Sequence, residues 1–218
     1  MRLRHEEYKH FRIATFFSLV IVFLLGLFVA IYGKDRSFLM INGHYSKQAD
    51  YFFNYVTFLG EWILWVPIFI YALFIKRDFF LPVLAALAIC TLLTHVGKRV
   101  IFEGQPRPLL LLKDVARAVP ILKHNNYVNS FPSGHTSTAF TTALLLSFMV
   151  RKKFAVYFFP LVAFLVGYSR VYLAQHFVTD VLAGSIIGII SSYAALLIYN
   201  RMLKKKREHQ QNPSPEDV

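Results

Sequence analysis

The sequence predicts an all-α integral membrane protein: a bundle of six transmembrane helices with a polar, non-cytoplasmic loop between the third and fourth. Three observations lead there. Hydrophobic residues fill 56% of the 218 positions and charged residues only 17%, with 22 Phe among them. The apolar residues gather in runs close to the ~20 that a bilayer core requires. The basic residues stand mostly at the ends of those runs, where they orient a membrane chain.

The first run, 11–33, is too long for a cleaved signal peptide and lacks a small-residue cleavage site, so it reads as an uncleaved span. Residues 34–55 mix Asn, Gly, Ser and aromatics and read as an interfacial or short helical connector. The second run, 60–75, is closed by Lys76, Arg77 and Asp78, and the third, 79–97, by Lys98 and Arg99. A polar loop over 102–131 follows, and a loop of that length in a compact protein is usually functional or disordered. The fourth run, 133–150, ends at Arg151-Lys152-Lys153, the fifth covers 154–174, and the sixth, 178–199, ends in the basic stretch 201–207. Residues 1–207 therefore form one six-span domain, and 208–218, polar with two Pro, read as a disordered cytoplasmic tail. The single cysteine, Cys90, lies inside an apolar run, excludes an intrachain disulfide, and reads as a packing residue.

Six spans put both termini on one side. Short segments on that side hold fourteen of the 24 basic residues, at the N-terminus, after the second and fourth spans and at the C-terminus, so this side is expected to be cytoplasmic. This distribution, with attraction to anionic headgroups, accounts for most of the +12 net charge without nucleic acid. The other ten, Lys34, Arg36, Lys47, Lys98, Arg99, Arg107, Lys113, Arg117, Lys123 and Arg170, oppose the rule, so several must serve another purpose.

Three stretches supply one. Lys98-Arg99 and Arg107-Pro108 flank the start of the long loop. Ser133-Gly134-His135 opens the fourth span. Arg170, His176 and Asp180 lie where the fifth span ends and the sixth begins. Hydropathy alone puts all of these on the non-cytoplasmic side. Charges near membrane depth are expensive unless paired or bound to something, and only Asp180 and Glu103 are obvious local anions, so the surplus of cations predicts an anionic ligand. Arginine suits bidentate phosphate contact. A helix start at Ser133-Gly134 offers free N–H groups, with a glycine that lets an oxyanion approach. His176 and Asp180, four apart, share a helical face, so the carboxylate can orient the imidazole as nucleophile or base, with His135 as general acid.

Pro132-Ser133-Gly134-His135, together with Ser169-Arg170, five residues, His176, three residues and Asp180, resembles the second and third motifs of the type-2 phosphatidic acid phosphatase family, which includes the vanadium haloperoxidases. The resemblance covers roughly residues 98–180. It implies that His176 attacks phosphorus to form a phosphohistidine, that Asp180 orients His176, and that His135 protonates the leaving group. It further implies that Arg107, Arg170, Ser133 and Gly134 hold phosphate oxygens, with no metal or other cofactor. The first motif departs from the family pattern of lysine, six residues, Arg-Pro. Lys98 and Arg99 both lie too far upstream of Arg107 and compete for the basic position, Lys98 being favoured by residue type. A small insertion around Glu103-Gly104 would restore the geometry.

The expected function is metal-independent hydrolysis of a phosphomonoester or diphosphate lipid headgroup: phosphatidylglycerophosphate, phosphatidic acid, undecaprenyl diphosphate or a lipid A phosphate. The expected location is the bacterial inner membrane, with the site on the periplasmic or exterior face and no obligate protein partner. A non-catalytic anion-binding protein or transporter is the competing class; a haloperoxidase-like activity is a third. Of the remaining residues, His95 reads as a packing or hydrogen-bonding residue, His124 as solvent-facing, Tyr168 and Tyr172 as interfacial aromatics, and Lys113, Arg117 and Lys123 as a solvated or substrate-steering loop face.

Overall fold

The computed structural model describes residues 2–119, 127–150 and 152–211; the expectations for Lys123, His124, Arg151 and the tail from 212 onward lie outside them. The described residues form helices and turns: α1 (Arg2–Tyr32), α2 (Lys34–Asn42), α3 (Lys47–Thr57), α4 (Trp65–Phe74), α5 (Phe80–Val96), α6 (Pro108–Leu111), α7 (Gly134–Val150), α8 (Ala155–Tyr172) and α9 (Val178–Gln211). Helix α9 runs past Glu208, where the sequence suggested that disorder begins.

Among the described residues, four stretches are long and apolar enough to cross a bilayer: Tyr8–Tyr32, Arg77–Ile101, Ala155–Tyr172 and Val178–Lys206. A fifth is obtained if Lys47–Gly60 and Trp62–Phe74 count as one span bent by 56°. The apolar run at 60–75 is therefore the second arm of a bent pair, helical over Trp62–Phe74. Its helical part, α4, has ten residues and is only ~15 Å long. The break falls at Glu61, whose extended backbone (φ −86°, ψ 161°) separates two short 3₁₀ turns. The connector at 34–55 becomes α2 and most of α3.

Helix α7, of 17 residues, stands at the centre and packs against α1, α5, α8 and α9. Most of its side chains are buried, including Thr136, Ser137, Thr141, Thr142 and Ser147. These hydroxyls leave little unmet hydrogen-bonding demand: Thr141 donates to the Ser137 carbonyl at 2.7 Å and Ser147 to the Ala143 carbonyl at 2.8 Å. Small side chains let the backbones close in. A Cβ at Gly188 of α9 would lie 2.8 Å from the Ser137 carbonyl oxygen and 2.6 Å from the Phe140 Cβ. Gly184 and Gly188 thus form the small-xxx-small seam by which membrane helices pack without a hydrophobic driving force between them. Cys90 is buried, as a packing residue should be. Outward-facing Phe16, Phe23, Phe74 and Ile75 are more than two-thirds exposed or close to it, an apolar surface suited to lipid.

One polar clasp ties the long loop to the bundle. Arg117 makes a bidentate pair with Asp50 of α3 (2.6 and 3.1 Å), and the Tyr172 hydroxyl donates to the same carboxylate at 2.7 Å. Asn42 accepts from the Arg117 N–H at 2.7 Å and donates to the Tyr172 carbonyl at 2.9 Å. Two expectations are corrected here. Arg117 is mostly buried rather than part of a solvated or steering face, its charge secured by Asp50, which raises its pKa. Tyr172 is a core residue, 1% exposed, rather than an interfacial aromatic. Replacing Asp50 by Ala removes charge-assisted bonds from two partners and should lower stability by about 2 kcal/mol, read as a lower midpoint of thermal unfolding in detergent.

Candidate active site

The sequence-predicted residues arrive from five separate segments. Helix α8 delivers Arg170, then ends in a tight reversal: Gln175 and His176 return their N–H groups to the Arg170 carbonyl at 2.9 and 3.2 Å, with Ala174 in the left-handed region (φ 55°). That wrap aims His176 back at the bundle, where it is 1% exposed. One turn into the next segment, the Asp180 carboxylate lies 3.2 Å from His176 Nδ1. The same Oδ2 accepts from the Phe177 N–H at 3.0 Å and from the Ser130 hydroxyl. A carboxylate accepts only, so Nδ1 carries the ring proton and Nε2 keeps its lone pair. Burial, partly opposed by Asp180, pushes the His176 pKa down to about 3, so the ring is neutral at neutral pH.

The start of α7 is docked on this segment: the Ser133 N–H donates to the Asp180 carbonyl at 3.0 Å, and Ser133 itself is fully buried. Thr136 donates to the Ser133 hydroxyl at 2.9 Å, and Ser137 to the Gly134 carbonyl at 2.9 Å. His135, next in line, lies within electrostatic reach of Arg170, His176, Lys98 and Arg107.

The cations are held individually. Arg107 is fixed by the loop, where its N–H donates to the Tyr127 carbonyl at 2.8 Å and the Ser130 N–H donates to the Gln105 carbonyl at 3.0 Å. Its guanidinium donates to Gln175 Oε1 at 2.9 Å. Arg170 donates to the Thr57 hydroxyl at 2.8 Å, while its Nε is buried without a partner. An unmatched donor on a buried cation is an opening for an anionic oxygen. Lys98 and Arg99 sit on a π-helical turn, Gly97–Ile101, at the end of α5. Lys98 is half-buried and feels the charges of Arg107, Arg170 and Asp180, whereas Arg99 is exposed. The turn after it places Gly104 at φ 77°, with its N–H on Asn129 Oδ1 at 3.0 Å, in the region where the sequence anticipated an insertion.

A cavity of about 460 Å³ opens beside these groups, lined by Lys98, Gly134 and His135 and also by Glu61, Thr94 and His95. His95 is exposed to this cavity rather than packed in the core. Four contributors escaped the sequence reading. Thr57, Ser130 and Gln175 carry no distinguishing pattern and matter only through the partner each meets. Glu61 had a visible signal, a carboxylate heading an apolar run, where an unpaired charge is costly.

Comparison with known proteins places the chain in a family. Residues 79–204 match the family model described as PAP2 superfamily. The lipid A 4'-phosphatases of Porphyromonas gingivalis and Bacteroides thetaiotaomicron are 29% and 30% identical over 74% and 75% of the chain, covering 71% and 76% of their own lengths. The crystal structure of Aquifex aeolicus LpxE superposes with a TM-score of 0.64 at 33% identity, covering 73% of this chain and 92% of that one. These relatives carry the assignment past a non-catalytic anion carrier: the chain belongs to the PAP2 superfamily and is a membrane lipid phosphatase.

Proposed function

We propose that the protein hydrolyses a phosphate ester or diphosphate on a lipid headgroup at the outer face of the bacterial inner membrane, through a phosphohistidine on His176 and without a metal. The observation that carries the reading is the neutral, tautomerically set His176 imidazole beside the Asp180 carboxylate, among the cations Lys98 and Arg170. His176 Nε2 attacks phosphorus as the bond to the leaving oxygen breaks, and His135 gives its proton to that oxygen. Water then attacks the phosphohistidine, His135 taking the water's proton, and inorganic phosphate leaves. Arg107, Arg170, Lys98, the Ser133 hydroxyl and the Gly134 N–H neutralise the equatorial oxygens, with Arg99 as the outlying alternative to Lys98. Phosphoryl transfer is catalysed mainly by positioning and charge stabilisation, the task these cations would perform.

Six spans with both termini cytoplasmic remain the topology best supported by the basic-residue distribution, with α7 as a short central span of ~25 Å. A lipid A phosphate heads the substrate list, because the two curated relatives described above bear that name. The test is phosphate release by purified protein from lipid A, phosphatidic acid, phosphatidylglycerophosphate and undecaprenyl diphosphate, each in excess EDTA. Release that persists in EDTA and is blocked by vanadate, a phosphate mimic, is expected. Activity abolished by chelation and restored by a divalent ion defeats the metal-free mechanism.

A further inference from the structure

His135 has a problem that the family motifs leave unsolved. To give a proton to the leaving oxygen it must hold one, yet the charged groups around it are mostly cationic. Arg170 approaches from α8, Lys98 from the turn after α5, Arg107 from the loop, and His176 from the α8–α9 connection. Asp180 is engaged by His176, Ser130 and the Phe177 N–H. Among the described residues a second carboxylate faces His135: Glu61, whose Oε1 lies 3.8 Å from Nε2, both side chains being about one-third exposed.

Three features make this juxtaposition a built one. Glu61 sits at the extended break between two 3₁₀ turns, where the span bends by 56°. The preceding residue is a glycine because the chain touches His135 there: a Cβ at Gly60 would lie 2.8 Å from the His135 carbonyl oxygen and 2.9 Å from its Cβ. The same carboxylate acts electrostatically on Arg170. The distance is also informative. At 3.8 Å the carboxylate attracts an imidazolium but is beyond the 2.7–3.2 Å of a formed hydrogen bond, so the Nε2 proton stays available to an arriving oxygen.

We infer that Glu61 is a positioning residue for the reaction, a counter-charge whose carboxylate, 3.8 Å from Nε2, stabilises the proton that His135 must donate and keeps the ring aimed among the cations that hold the phosphate. The inference rests on the phosphohistidine reading, in which His135 is the acid. It makes the bend in the second apolar segment functional: a straight helix from 60 onward would carry the carboxylate away from the imidazole.

The experiment is the pH dependence of kcat and KM for wild type, Glu61→Gln and Glu61→Asp, on whichever lipid of the panel above the wild type cleaves fastest. An opposite charge within 4–6 Å moves a titration by about one to three pH units, discounted here to the low end by solvent exposure. Glu61→Gln should therefore shift the alkaline limb of kcat down by about one pH unit. At pH 7.5 kcat should fall about tenfold, at pH 5 it should stay within about twofold of wild type, and KM should be nearly unchanged. Glu61→Asp should lie between. An equal loss at every pH means a structural role and overturns the inference, as does a raised KM with an unshifted profile, which means a headgroup contact. An active wild type with an unaltered Glu61→Gln profile overturns this inference alone. A wild type that releases phosphate from no lipid overturns the phosphatase mechanism and the inference together.

Discussion

Replacing His176 by alanine is expected to lower phosphate release by about a thousandfold or more, the scale seen when a covalent nucleophile is removed from an enzyme whose binding groups remain. The substitution leaves Arg107 with Gln175, Arg170 with Thr57 and Ser133 with the Asp180 carbonyl, so phosphate binding should persist. Vanadate should still bind the variant, although no phosphoenzyme should be trapped by rapid quench. A variant that retains a tenth of wild-type release would rule out His176 as nucleophile. The same change should alter acid stability. The His176 pKa is pushed down to about 3 in the folded protein, below the ~6.5 of a free histidine. As pH falls below about 6.5 the unfolded chain takes up this proton first, so stability drains away progressively down to about 3. His176→Ala should lose that part of the acid sensitivity, visible as a flatter dependence of the unfolding midpoint on pH between 6.5 and 4.

Gly184→Val should cripple the fold itself. A Cβ at Gly184 would stand 2.5 Å from the Ser133 carbonyl oxygen, 3.0 Å from the Thr136 Cβ and 3.3 Å from the Ser137 nitrogen. The first and last of these are backbone atoms at the head of α7, which cannot swing aside as a side chain tip can. α7 and α9 must separate, and with them the Ser133 N–H bond to the Asp180 carbonyl that seats the two halves of the site. Overpacking of a well-filled interior costs about 1–3 kcal/mol, and a backbone obstruction belongs at or above the top of that range. The expected result is a sharp fall in folded yield from detergent and a midpoint of thermal unfolding lowered by many degrees. Gly26→Ala is the control, since a Cβ there meets only Leu182 Cδ1 at 3.9 Å. Near-wild-type stability for Gly184→Val would mean that the seam is looser than these distances require.

Much of the residue cluster was legible before any coordinates, for reasons that can be named. Ser133, Gly134, His135, Arg170, His176 and Asp180 sit at run boundaries, where hydropathy locates helix ends and where polar residues have no packing reason to gather. Local spacing also sufficed for His176 and Asp180, because four residues make one helical turn. Spacing was a poorer guide to Lys98. A π turn and a left-handed glycine alter the path to Arg107 in ways no residue count reveals. The reading of 34–55 as a connector and 60–75 as a separate span missed that Lys47–Gly60 and Trp62–Phe74 can form one bent span, because hydropathy registers apolar composition along the chain but is blind to a break at a single extended residue.

What composition, run boundaries and motifs established is the membrane class, the helical architecture, the helix ends at which the polar groups gather and the family to which the motifs point. These follow from energies local to the chain, the transfer of apolar runs into lipid and the turn-by-turn geometry of a helix. What only the folded arrangement decided is which partner each group meets: Arg117 with Asp50, Arg170 with Thr57, Ser130 with Asp180, and Glu61 with His135. Those pairings join residues from 50 to 113 positions apart. They exist because glycine seams draw the helices together and bring otherwise costly charges within reach of one another, a cooperative outcome that no single segment encodes.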